Sequence, residues 1–142
     1  MSNNRMAVWL PMLVGACALT GCMTTAQDMR EPAAASRLQG GWQIVAVNGA
    51  PVSGANYMLR FDEGRLTGQA GCNRFSGPHR IEANGLVAGP IVATRMACPG
   101  ARMRDERAVL NILRQPMRVV GSGAADFVLS NDVGTIRLRQ MP

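Results

Sequence analysis

Cys72, His79 and Cys98 carry side chains that could do chemistry unavailable to their neighbours. Three chemistries compete for them. Zinc binding would use both thiolates and the imidazole. It also needs a fourth ligand, and structural zinc sites usually contain a tight Cys-x-x-Cys or His-x3-His pair, which this spacing lacks. Nucleophilic catalysis would pair a thiolate with His79, and it requires a reduced thiol and an orienting carboxylate. The third chemistry is a Cys72 to Cys98 disulfide, whose closed loop would stabilise a fold by about 3.5 kcal/mol. Compartment weighs most heavily among the three, because disulfides persist where the surroundings are oxidising.

The N-terminus speaks to compartment. A polar start carrying Arg5 leads into an apolar run over 6–19, and the run ends in Leu19-Thr20-Gly21-Cys22. This is the layout of an export signal closed by a lipobox, in which the cysteine thiol takes a diacylglyceryl group and cleavage precedes it. A membrane-spanning helix is the competing reading. At about 1.5 Å per residue the run reaches only roughly 21 Å against a hydrocarbon core of ~30 Å, and Pro11 interrupts it. The expectation is a signal over 1–21, removed on export, and acylation of Cys22. Met23 stands where an aspartate would mark inner-membrane retention, so the outer membrane is the expected destination, facing the periplasm. Two acyl chains already anchor stably, and the usual final state has three. Cys17 leaves with the signal and Cys22 is taken by lipid, so Cys72 and Cys98 are left to pair.

Charge excludes less than it first suggests. The net charge is +6, and all 15 basic residues are arginine, against nine acids. Without lysine there is no Schiff-base chemistry. The arginines are scattered singly, and an exported, tethered chain meets no chromosomal DNA, so no nucleic-acid partner is expected. A solvated surface is the plain account, with attraction to anionic lipid headgroups or acidic envelope polymers as the alternative.

These residues must be positioned by a small domain. Residues 22–37 read as a flexible tether rich in Ala, Thr and Pro, able to extend up to roughly 50 Å, and the domain occupies 38–140. From Trp42 the pattern alternates by twos and pauses at the turn signal Asn48-Gly49. Tyr57, Leu59 and Phe61 share one strand face, with Arg60 and Asp62 on the other. Further strands are expected at 65–67, 75–81, 86–88 and 91–94. Residues 101–114 place Met103, Val109, Leu110 and Leu113 near helical spacing, between Pro99-Gly100 and Pro116. The close returns to strands, with Met117 and Val119, Phe127 and Leu129, and Ile136 and Leu138 inward, and Arg118, Arg137 and Arg139 outward. Gly64, Gly68, Gly71 and Gly77 surround Cys72 and predict bends in a strongly curved sheet. Asp105-Glu106 is expected near the helix start, where acids complement the dipole. Asn73 is expected to satisfy backbone groups in a turn.

Two separated motifs carry a resemblance. Gly68-Gln-Ala-Gly-Cys72-Asn-Arg-Phe-Ser-Gly77 and Ala93-Thr-Arg-Met-Ala-Cys98-Pro99, with the opening Leu38-Gln-Gly-Gly-Trp42, resemble the paired signature of the META domain family of HslJ-like lipoproteins. The resemblance spans about 38–139. His79 departs from it, since the family more often has a tyrosine there. It implies an α+β fold: a β-rich, conical, partly open barrel or wrapped antiparallel sheet with one principal helix. It also implies an association with envelope stress and drug tolerance, and no catalytic centre, cofactor or metal. The expected partners are the membrane, through the acyl chains, and a hydrophobic ligand or envelope protein held in a groove lined by Tyr57, Phe61, Phe75 and Met96. Inhibition of a cell-wall hydrolase is the alternative, and an enzyme using Cys72 and His79 is the weakest reading.

Overall fold

The computed structural model describes residues 34–82 and 85–142. The expected signal over 1–21, the acylation site Cys22 and most of the expected tether lie outside the described residues. Ala35, within the stretch assigned to that tether, is buried in the core. The Leu38 carbonyl next to it accepts the Trp42 indole N–H at 2.7 Å.

Ten strands form among the described residues: β1 (Gly40–Val47), β2 (Ala50–Pro51), β3 (Met58–Asp62), β4 (Arg65–Ala70), β5 (Asn73–Glu82), β6 (Gly85–Ala88), β7 (Val92–Ala93), β8 (Arg118–Gly121), β9 (Asp126–Asn131) and β10 (Gly134–Gln140), with one main helix, α1 (Ala101–Leu113), between β7 and β8. The strand order is β6-β5-β4-β3-β1-β10-β9-β8, with β2 on β1 and β7 on β5, and every pairing is antiparallel. The two outer strands curve round to each other. Leu86 of β6 and Met117, just before β8, exchange two backbone hydrogen bonds of 2.8 Å. The sheet is thus a nearly closed barrel. Gly85 permits that closure: its φ is +136°, and a β-carbon there would overlap the Met117 carbonyl oxygen.

The period-two pattern explains which face is buried. Leu59 and Phe61, Phe127 and Leu129, and Ile136 and Leu138 all point inward and are buried, as the alternation predicts. On β1 the alternation slips. A register shift between Ile44 and Ala46 brings Val47 to the interior in place of Ala46. At the core's centre Trp42 meets Phe127 edge-on at 5.0 Å. Fully burying each such side chain contributes about 2 to 3 kcal/mol.

Helix α1 packs Val109, Leu110, Ile112 and Leu113 against the barrel. Its last turn is held by Asn131, whose Nδ2 donates to the Ile112 carbonyl at 2.9 Å. The helix starts at Ala101, so Asp105 and Glu106 fall beyond its first turn. Their expected part in the dipole is therefore replaced by one in docking the helix, since the dipole's influence fades within a turn.

Candidate functional site

The two signature segments meet at Asn73, the first residue of β5. Its Nδ2 donates to the Met96 carbonyl at 3.0 Å and to Glu106 Oε2 at 2.7 Å. Its Oδ1 accepts from the Thr94 hydroxyl at 2.8 Å and from the Met96 backbone N–H at 2.7 Å. Both amide protons and both acceptor positions are in use, the full inventory of an Asn side chain. Asn73 therefore does more than satisfy a turn. It fastens 94–96 and the helix to the barrel, and it satisfies Glu106, one of the few charged side chains buried among the described residues. Beside it Cys72 and Cys98 form a disulfide with their Cα atoms 6.4 Å apart, within the range that a bridge spans. Disulfide and Asn73 together hold the segment leading into α1 from both sides.

The residues expected to line a groove are not brought together into one. Tyr57, Phe61 and Phe75 are buried, Phe61 and Phe75 on the inward parity of β3 and β5 and Tyr57 in step with that parity just before β3. Tyr57 acts as a strut, its hydroxyl donating to Asp105 Oδ2 at 3.0 Å, where the Ser53 N–H also donates at 2.9 Å. Burial and the adjoining Asp105 carboxylate push the Tyr57 phenol up to about 12. Met96 stands apart, with 56% of its surface exposed, because its backbone is held by Asn73 while its side chain is left outside.

His79 lies at the far end of β5, six residues from Asn73, and so about 20 Å from the cysteines at strand rise. Zinc binding and thiol catalysis by Cys72 and His79 lose their geometry at that distance. No metal-holding group of three or more His, Cys, Asp or Glu side chains occurs among the described residues. His79 is buried, edge-on to Phe61 at 5.4 Å, and its Nδ1 has no hydrogen-bond partner among the described residues. Burial pushes the imidazole below its ordinary pKa, against an opposing pull from the Arg65 backbone and Asp62.

A trough opens on the outer face of β3, β4 and β5, where β7 forms its rim. Its volume is about 750 Å³, and Phe75 is the one member of the expected groove that lines it. The Phe75 ring backs the floor of the trough from the inner side, packed on Gly68 directly across the ladder, where a β-carbon would overlap it. Met58 and Val92 flank the trough with 41% and 69% of their surfaces exposed. Arg60, Arg65 and Arg74 line it as well. Strand alternation places all three arginines on one face, but their convergence depends on a register that no local pattern displays.

Comparison with known proteins places this geometry among relatives. The family model of the META domain matches residues 36–141. A protein from Burkholderia xenovorans, solved by NMR, superposes with a TM-score of 0.63 at 23% identity, over 78% of this chain and 88% of its own. A second protein solved by NMR gives a TM-score of 0.62 at 24% identity, over 73% of this chain and 92% of its own. Both likenesses are of fold. No curated protein matches the chain.

Proposed function

Since the chain belongs to the META domain family, we propose that it is a non-enzymatic outer-membrane lipoprotein whose periplasmic domain contributes to envelope stress or drug tolerance by binding a hydrophobic ligand or an envelope protein. Family membership supports the coarse part of this reading, a stress- or tolerance-related periplasmic protein. The ligand-binding part rests on one observation: Asn73 is fully bonded inside the fold, while the outer trough keeps exposed apolar side chains beside a 750 Å³ hollow. Lipid-anchored placement rests on the lipobox ending at Cys22.

The reading is tested by isolating the acylated protein from intact envelopes, then extracting bound lipid and identifying proteins crosslinked before lysis. Mass spectrometry of the unreduced chain should show cleavage before Cys22, acyl mass and a two-hydrogen deficit from the Cys72 to Cys98 bond. A chain retaining residues 1–21, or one recovered without lipid or envelope partner, overturns the corresponding part.

One observation favours inhibition of a cell-wall hydrolase as a second reading. Thr94, Arg95, Met96 and Ala97 are exposed between two fixed points, the Asn73 bonds and the disulfide. A pre-ordered loop of this kind suits insertion into an enzyme cleft, since little ordering entropy remains to be lost. Recovery of a hydrolase, released by a bulky substitution at Met96, would favour it.

A further inference from the structure

The outer trough has a charge pattern as well as an apolar one. Ladder register puts Thr67 opposite Arg60 on one side and Ser76 on the other. With strands about 4.8 Å apart and alternate residues about 6.8 Å apart, the Cα atoms of Arg60, Arg65 and Arg74 all lie within about 8 Å of that of Thr67. Arginine side chains are long enough to converge over a centre at that range. Their charges are only partly answered. Arg60 pairs with Asp62 at 3.0 Å, in the open. Arg65 donates to the neutral Ser76 hydroxyl at 3.1 Å. The Arg74 guanidinium has no partner among the described residues. Three cations thus face one carboxylate, with the Thr67 and Ser76 hydroxyls and the Gln69 amide between them.

Such a set matches a phosphate, whose oxygens accept the forked guanidinium donors and the hydroxyls together. Beside it lie Met58, Val92 and Ala93, over a floor backed by Gly68 and the buried Phe75 ring. A free phosphate would leave these uncovered. A nucleic acid would want exposed aromatic faces for stacking, and Phe75 is the trough's sole aromatic and is 4% exposed. An amphiphile covers both halves. We propose that the trough binds a single anionic amphiphile, with a phosphate-bearing headgroup seated among Arg60, Arg65 and Arg74 and an acyl chain along Met58, Val92 and Ala93. This rests on the reading above, that the domain takes a hydrophobic ligand, and names the ligand's class and place. The volume of about 750 Å³ lies within the range of small-molecule sites and accommodates a headgroup with one chain.

The full chain carrying Cys22→Ala, which cannot be acylated, is titrated by calorimetry with lauroyl lysophosphatidylglycerol below its critical micelle concentration. Lauroyl lysophosphatidylcholine and inorganic phosphate serve as comparators. Saturable one-to-one binding of the anionic lipid is expected, at least tenfold tighter than either comparator. Arg65→Gln combined with Arg74→Gln should weaken it at least tenfold with the unfolding midpoint unchanged. Equal affinity for the zwitterionic lipid overturns the charge recognition and leaves the hydrophobic-ligand reading standing. Inorganic phosphate bound as tightly overturns the amphiphile. Undiminished binding in the double variant puts the lipid elsewhere and overturns the site. If neither lysolipid binds, the site is overturned, and lipid extracted from envelope-purified protein then decides separately whether the broader reading survives.

Discussion

Asn73 and Arg74 are consecutive on β5, yet one faces the interior with every polar atom bonded and the other faces the outer trough with its guanidinium unpartnered among the described residues. The first belongs to a region where polar groups meet only each other. The second belongs to one where cations and apolar side chains are left for something else to meet. The difference teaches that a family signature can be chiefly a fastening. Its inward residues are the fastening and its outward ones, such as Arg74, are free to bind, because strand alternation sends neighbours to opposite faces.

That contrast can be broken most directly at its inner member. Asn73→Ala strips Glu106 of its partner and frees Thr94 and Met96, and should cost about 3 kcal/mol in urea denaturation. Cys98→Ser should cost a similar amount, about 2 to 4 kcal/mol. Because both fastenings hold one segment, the double variant should lose less than the sum; full additivity would mean that they act independently. Tyr57→Phe removes one of two donors to Asp105 and should cost about 1 kcal/mol.

A smaller effect is expected from pH. Burial holds the His79 imidazole below its usual pKa, so the folded state binds fewer protons than the unfolded chain. Its contribution is intact above the unfolded value of about 6.5 and is lost as pH falls from there toward the folded value. Unfolding midpoints taken between pH 7 and pH 5 should therefore fall, and His79→Phe should flatten that slope. The smallest effect on stability belongs to the outer member of the pair. Arg74→Gln should move the unfolding free energy by no more than about 0.5 kcal/mol. A loss matching that of Asn73→Ala would abolish the distinction between the two regions.

Much of the barrel was legible because its signals are local. Leu59 and Phe61, or Ile136 and Leu138, announce their face by spacing alone, and Pro99-Gly100 and Pro116 bracket α1. The same parity puts Phe61 and Phe75 inside, with Tyr57 in step, so these three rings belong to the core. Glu106 was legible in principle: it lies three residues before Val109 and three after Met103, on the apolar stripe, so its burial follows from helical period. The slip at Ile44 was not legible, because a bulge is recognised only against its partner strand. Nor was the gathering of Arg60, Arg65 and Arg74 around Thr67. Those arginines come from three strands, and their proximity is set by cross-strand register, which depends on turns and core packing together.

The two hydrogen bonds between Leu86 and Met117 carry a burden beyond their own energy. They are the one bridge across the seam among the described residues, and without them the edges of β6 and β8 would part, leaving exposed rows of the kind that recruit strands from other molecules. Gly85 guards this join, since any side chain there meets the Met117 carbonyl. A substitution at Gly85 would therefore be read less as a weaker fold than as a stickier one, with chains that add to one another edge to edge.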